Sequence, residues 1–275
     1  MGRYIHSWIQ DLFHGLTFRC PDGTEWDIEE KISEKSHVDS IGLGEAQAVY
    51  HCCQSLGPSV GLEAIVKIRM QVPAVYPASF DPEVRAREAH GWLGSATANE
   101  ISTMKYLNKH GCSVVPRLLN LAILSQTTDD MPVPTGYMVM LVIEKCPGVT
   151  LVDFEKYSEE KKEKIRRTFR RDFTKLLQYH TYTADANASN IIYDEKEDRC
   201  WFIDHEHTFI REQENMEFSE YDYQEWGLEP WPYSPERKHE IDQAFFKQVE
   251  EKEAREKEAQ EKEAQVKEAQ EEADR

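Results

Sequence analysis

The stretch DANASNIIYDEKEDRCWFID, residues 185–204, constrains this chain more than any other. Two short apolar runs, Ile191–Tyr193 and Cys200–Ile203, are joined by the polar EKEDR. Such runs around a charged link read as a β-hairpin. Asn190 opens the first strand and Asp204 closes the second. Antiparallel pairing brings them close although fourteen positions separate them. An amide oxygen and a carboxylate at one hairpin end suit Mg²⁺, a hard cation that takes oxygen ligands. Asp185 lies on the loop just before, five positions ahead of Asn190. It can face the same point and orient an attacking hydroxyl or accept its proton. Taken alone, the D-x-x-x-x-N spacing is ordinary loop chemistry, because Asp, Asn and Ser are common turn formers. The hairpin and its terminal Asp make it informative.

Lys67 sits inside the apolar strand EAIVKIR. A lysine there either snorkels from an edge strand or reaches an anion. Glu100 is its natural partner. It precedes Met104 by four and Leu107 by seven, which puts it on the apolar face of a helix at about 98–109. The competing role is a capping box with Thr97; the ion pair is the favoured one. Upstream, residues 37–53 read as strand, turn and strand, the turn IGLGEAQAVY holding Gly42 and Gly44. As a degenerate G-x-G it is, alone, an ordinary hairpin turn. Tyr137–Ile143 is an apolar strand that runs into VIEKCPG. A helix at about 159–180 puts Ile165, Phe169, Phe173, Leu176 and Leu177 on one face, with Ser158 as its cap.

The chain has 275 residues and a formal net charge of −18, which argues against nucleic acid or an anionic membrane as a partner. Its longest apolar run, seven residues, is too short for a membrane span. The six cysteines, 20, 52, 53, 112, 146 and 200, show neither CxxC nor zinc-ligand spacing and read as reduced thiols. With no targeting signal seen, a cytoplasmic or nuclear location is expected. Gly2 does not open a myristoylation motif, because His6 stands where Ser or Thr is required. From Glu251 a five-residue repeat carries Ala254, Ala259, Ala264 and Ala269 in phase. Each alanine turns about 140° from the last, so no apolar stripe forms, and a solvated single helix is expected. Trp226, Trp231 and Tyr233 read as an extended segment packing back on the core. His205, Glu206 and His207 suggest a zinc site only weakly, for want of further ligands; a polar, solvated loop is the plainer expectation.

The order of these features is glycine turn, strand Lys, helix Glu, apolar strand into a hinge, long helix, D-x-x-x-x-N, hairpin, Asp. It resembles the protein-kinase-like superfamily, and most of all the fungal kinase-like proteins related to aminoglycoside and choline phosphotransferases. The stretches that carry the resemblance are TANEISTMKYLNKHGCSVVPRLL, VPTGYMVMLVIEKCPGVTL and NIIYDEKEDRCWFIDHE, within residues 37–210. The resemblance implies an α+β, two-lobed fold. Residues 1–143 would form an N-lobe with an N-terminal extension, 144–235 the hinge and an abbreviated C-lobe, and 236–275 a charged helical tail. It implies ATP and Mg²⁺ as cofactors and a phosphotransferase whose phosphate acceptor or protein partner is unknown. Lys67 would hold the phosphates and pair with Glu100, and Gly42 and Gly44 would lie over the nucleotide. The backbone of Ile143, Glu144, Lys145 and Cys146 would contact adenine. Asp185 would be the catalytic carboxylate, with Asn190 and Asp204 on the metal. The chain departs from the family pattern in five places: the connection from His180 to Asp185 is shortened, the usual helical C-lobe that carries substrate is mostly missing, and three local motifs differ. Thr183 stands where His is usual, His205 and Glu206 follow Asp204 in place of Phe-Gly, and no A-P-E-like segment follows. The alternative is therefore a pseudokinase, a nucleotide-binding regulatory module without turnover.

Overall fold

The structure, a computed structural model, describes residues 7–39 and 41–231. The chain divides into two units, Met1–Leu228 and Glu229–Arg275. The first is considered below. The tail helix expected over 251–275, and Tyr233, lie outside the described residues.

Alternation within single strands builds the first unit. Strands β1 (Thr17–Arg19), β2 (Glu25–Val38), β3 (Gly44–Leu56) and β4 (Glu63–Val72) are followed by helices α1 (Pro82–Ala86) and α2 (Ser95–Lys109), then β5 (Leu118–Ser125) and β6 (Tyr137–Glu144). The six strands form one antiparallel sheet in the order β1-β2-β3-β4-β6-β5. Successive side chains point to opposite faces. On β4, Ala64, Val66, Ile68, Met70 and Val72 join an apolar core with Ala46, Ala48, Tyr50 and Cys52 of β3. The residues between them, Lys67, Arg69 and Gln71 on β4 and Glu45 and Gln47 on β3, are also buried, on the other face. β6 is apolar on both faces. Met138, Met140 and Val142 enter the first core, while Tyr137, Val139 and Leu141 meet Leu43 and Ile101 of α2. That is why Tyr137–Ile143 reads as an unbroken apolar run.

The sheet curls. Asn120 of β5 donates its side-chain amide to Asp22 (2.8 Å) and Thr24 (3.0 Å) in the β1–β2 turn, joining the two outer edges. Ile9, Phe13, Phe18, Trp26 and Ile28 fill the concave side. Gly44 faces Val72 across the ladder, and a Cβ there would collide with the Val72 carbonyl. Close backbone approach thus demands glycine at this position.

The rest of the unit is laid on a hairpin. Strand β7 (Val149–Thr150) leads through a 3₁₀ turn to α3 (Glu159–Leu177), β8 (Thr181–Thr183), β9 (Ile191–Asp194), β10 (Arg199–Phe202), β11 (Thr208–Ile210) and α4 (Tyr221–Glu225). Ser158 caps α3 through the N–H of Lys161, as its sequence suggests. Ile165, Phe169, Phe173, Leu176 and Leu177 are all buried. Phe169, Phe173, Phe202 and Trp226 pack with ring centroids 5.1–5.8 Å apart. Trp226 therefore belongs to the core, but it ends the short helix α4 and is not part of an extended segment. Asp172, fully buried on α3, accepts the N–H of Cys200 (3.0 Å) and so pins β10 to the helix. Among the described residues no helix is long and apolar enough to cross a membrane.

Candidate functional site

Lys67 lies on β4, flanked by β3 and β6, so it is no edge-strand lysine. Its ammonium donates to Glu100 Oε1 of α2 (2.5 Å) and to Asp204 Oδ1 (3.1 Å). Helix α2 is capped at Gly94 with no side-chain bond, and the Thr97 hydroxyl turns to Glu45 instead. The ion pair, not the capping box, is thus the role Glu100 takes.

The hairpin places Asp204. β9 and β10 pair in register from Asp194↔Arg199 to Ile191↔Phe202, and the Ile203 N–H continues the ladder to the Asn190 carbonyl (2.9 Å). Asp204 follows directly, in the left-handed region at φ 64°. A non-glycine residue pays about 1–2 kcal/mol for that conformation, somewhat less for Asp, and two lysines hold it there. Asn190 donates its side-chain amide to the Asp185 carbonyl (3.1 Å), which fixes the loop before the hairpin. The Asn190 amide oxygen accepts no hydrogen bond among the described residues. The Asp185 carboxylate is exposed and makes no hydrogen bond or ion pair with them.

Arg69, Glu45 and Lys35, which were not singled out in the sequence, complete the cluster together with Glu206, which was weighed only as a zinc ligand or loop residue. Arg69, wholly buried, donates to Glu100 Oε2 (2.6 and 3.0 Å), Glu45 (2.9 Å) and Glu206 (2.6 Å). Lys35 of β2 donates to Glu206 Oε1 (2.6 Å) and Asp204 Oδ2 (3.4 Å). The strand period could have flagged Arg69, which shares a face with Lys67. Nothing local could have flagged Lys35, or the role that Glu206 takes here.

Three cations here face four carboxylates. On Lys67, Arg69, Glu100, Asp204 and Glu206 burial opposes charge, yet the opposite charges win. Asp204 and Glu100 hold Lys67 protonated above the ordinary lysine range, against the cost of burial. Burial is the largest influence on Asp204 and Glu100 and pushes both up, yet both are kept below the carboxylate range, with Lys67 the strongest of the lowering causes. Glu206 is held low by Arg69 and Lys35, against burial and the neighbouring Asp204. Lys67, Arg69, Glu100, Asp204 and Glu206 are therefore ionised at neutral pH. A solvated loop was expected at His205 and Glu206; both are buried instead. His205 bonds the Phe202 carbonyl (3.1 Å), and burial pushes its pKa down to about 4. Among the described residues no group of three or more His, Cys, Asp or Glu side chains is disposed to hold a metal, so His205, Glu206 and His207 form no zinc site.

The remaining expected residues lie at the edges. Gly42 closes the β2–β3 turn at φ 85°, and the Asp39 carboxylate accepts the N–H groups of Ile41 (3.0 Å) and Leu43 (2.8 Å) across it. Ile143 is buried opposite Ile65 of β4. The Glu144 side chain meets Arg117 (3.2 Å) and Lys145 meets Glu63 (2.7 Å). The Cys146 thiol is pushed up to about 12 by burial and is not a nucleophile near neutrality.

No protein-family model matches the chain, and no curated protein matches its sequence. Among solved structures it is similar to the kinase PK-1 of Cydia pomonella granulovirus, at 15% identity and a TM-score of 0.38. The match covers 67% of this chain and 55% of that one, so this chain spans about half the length of the kinase it matches. A likeness that slight assigns neither fold nor activity.

Proposed function

We propose that this chain is a kinase-like phosphotransferase that binds ATP with Mg²⁺ at Lys67 and Asp204. The affiliation proposed is with the kinase-like proteins related to aminoglycoside and choline phosphotransferases, in a cytoplasmic or nuclear setting. One observation carries the reading. A buried lysine on a central strand is bonded at once to a helix carboxylate and to the carboxylate that ends a hairpin. Phosphoryl transfer asks mainly for positioning and charge neutralisation. Lys67, held by Glu100, is a fixed cation for phosphate oxygens. The Asp204 carboxylate and the free Asn190 amide oxygen are hard donors that fit Mg²⁺, whose charge would offset that of the phosphates. Asp185, exposed and unpaired, is placed to receive a hydroxyl proton from an acceptor. Ile143–Cys146 would face the base.

The same exposure of Asp185 favours a second reading, a nucleotide-binding regulatory module without turnover. Nucleotide titration followed by calorimetry tests the site, and a phosphotransfer assay divides the two readings. Asp204→Ala should abolish Mg²⁺-dependent ATP binding. Asp185→Ala should spare binding and remove transfer. Unchanged binding by Asp204→Ala would sink the proposed site.

A further inference from the structure

Two lysines hold the two oxygens of Asp204, Lys67 at Oδ1 (3.1 Å) and Lys35 at Oδ2 (3.4 Å). They are not equivalent. Lys67 is buried and tied to Glu100, whereas the Lys35 side chain is 46% exposed. A metal at Asp204 competes with both lysines for its oxygens, and Lys35, exposed and on the longer bond, yields the more readily of the two. An ammonium has three donors, and Glu206 occupies one of these at 2.6 Å.

The strand register sets a second unspent group beside it. Lys35 lies opposite Gln47, and Gln47 opposite Arg69. Gln47 shares its face with Glu45, whose carboxylate reaches Arg69 at 2.9 Å. Gln47 is only 6% exposed, yet its side chain makes no hydrogen bond among the described residues, and its amide oxygen is buried without a partner. The amide nitrogen of Gln47, which also makes no hydrogen bond among the described residues, is the atom of this group that can donate to an anion. The cross-strand row thus presents an ammonium and a carboxamide next to a carboxylate suited to a metal. That donor set takes phosphate oxygens.

We propose that Lys35 and Gln47 form a subsite for the terminal phosphate of a metal-bound polyphosphate. Lys35 leaves Asp204 as the metal arrives and donates to one phosphate oxygen, and the Gln47 carboxamide donates to another. The inference rests on the nucleotide reading above, because three cations among four carboxylates attract a polyphosphate only when it brings its metal.

The test is calorimetry on the full chain with Mg²⁺ and four probes: ATP, ADP, inorganic tripolyphosphate and adenosine. Lys35→Met should weaken ATP and tripolyphosphate about tenfold, the scale of one charge-assisted hydrogen bond, and adenosine less than about twofold. Lys35→Arg should restore most of the loss. Gln47→Met, of similar volume, should weaken the same two ligands by a smaller factor. Matching circular dichroism and melting curves show that each variant is folded. ATP and tripolyphosphate bound by Lys35→Met as well as by wild type, or more tightly, would overturn the subsite and make Lys35 a mere plug. Lys35-dependent binding of tripolyphosphate with no added affinity for ATP would keep the subsite and remove the nucleotide reading. ATP binding indifferent to Lys35 would do the reverse, and no binding of any probe by wild type would remove both.

Discussion

From Val66 to Val72 strand β4 is buried on both faces, by opposite chemistry. One carries Ala64, Val66, Ile68, Met70 and Val72 into the apolar core inside the curl. The other carries Lys67 and Arg69 into a network of four carboxylates. Apolar burial is non-directional and stabilises in proportion to area, at roughly 25 cal/mol per Å². A buried ion network must offset several kcal/mol of desolvation per ion and succeeds only with full pairing. Strand β6, apolar on both faces, is buried without any such network.

The largest expected effect breaks the network. Arg69→Ala strips Glu45, Glu100 and Glu206 of a shared cation and should cost about 3–5 kcal/mol or more, read by urea denaturation. A loss under about 1 kcal/mol would erase the contrast between the faces. The next effect is in pH. His205 is buried neutral with a pKa near 4, against 6.5 in the unfolded chain. The unfolded state binds its proton first as pH falls, so stability is full above pH 6.5 and is lost towards pH 4. Asp222, which burial raises to about 6, acts with the opposite sign over its own window. The difference between wild type and His205→Gln isolates the histidine, and the variant should show a shallower loss of melting temperature between pH 6.5 and 4. The smallest effect lies on the apolar face. Ile68→Val should cost about 0.5–1.5 kcal/mol with no change in any ligand affinity. A change in nucleotide affinity there would show that the two faces are not independent.

Local chemistry explains what could be read before folding. The hairpin of residues 191–202, the α3 face with its Ser158 cap, and the strand around Lys67 all announce themselves through periods of two or 3.6 and through turn residues. Glu100 was legible too, by its spacing from Met104 and Leu107. Trp226 was legible as core but not as the end of a helix, because its burial depends on Phe169 and Phe202, both well upstream in the chain.

The sequence by itself determined the strands around Lys67 and over Tyr137–Ile143, the hairpin of residues 191–202, the helix faces and the approach of Asn190 to Asp204, since each follows from neighbours within about twenty positions. Only the tertiary structure decided the company Asp204 keeps. Lys35 stands 169 positions from it and Lys67 137, and no period links residues so far apart. The curl of the sheet and the docking of α2 bring them together. Electrostatic pairing depends on distance in space, whereas a pattern in sequence reports only which face a side chain occupies.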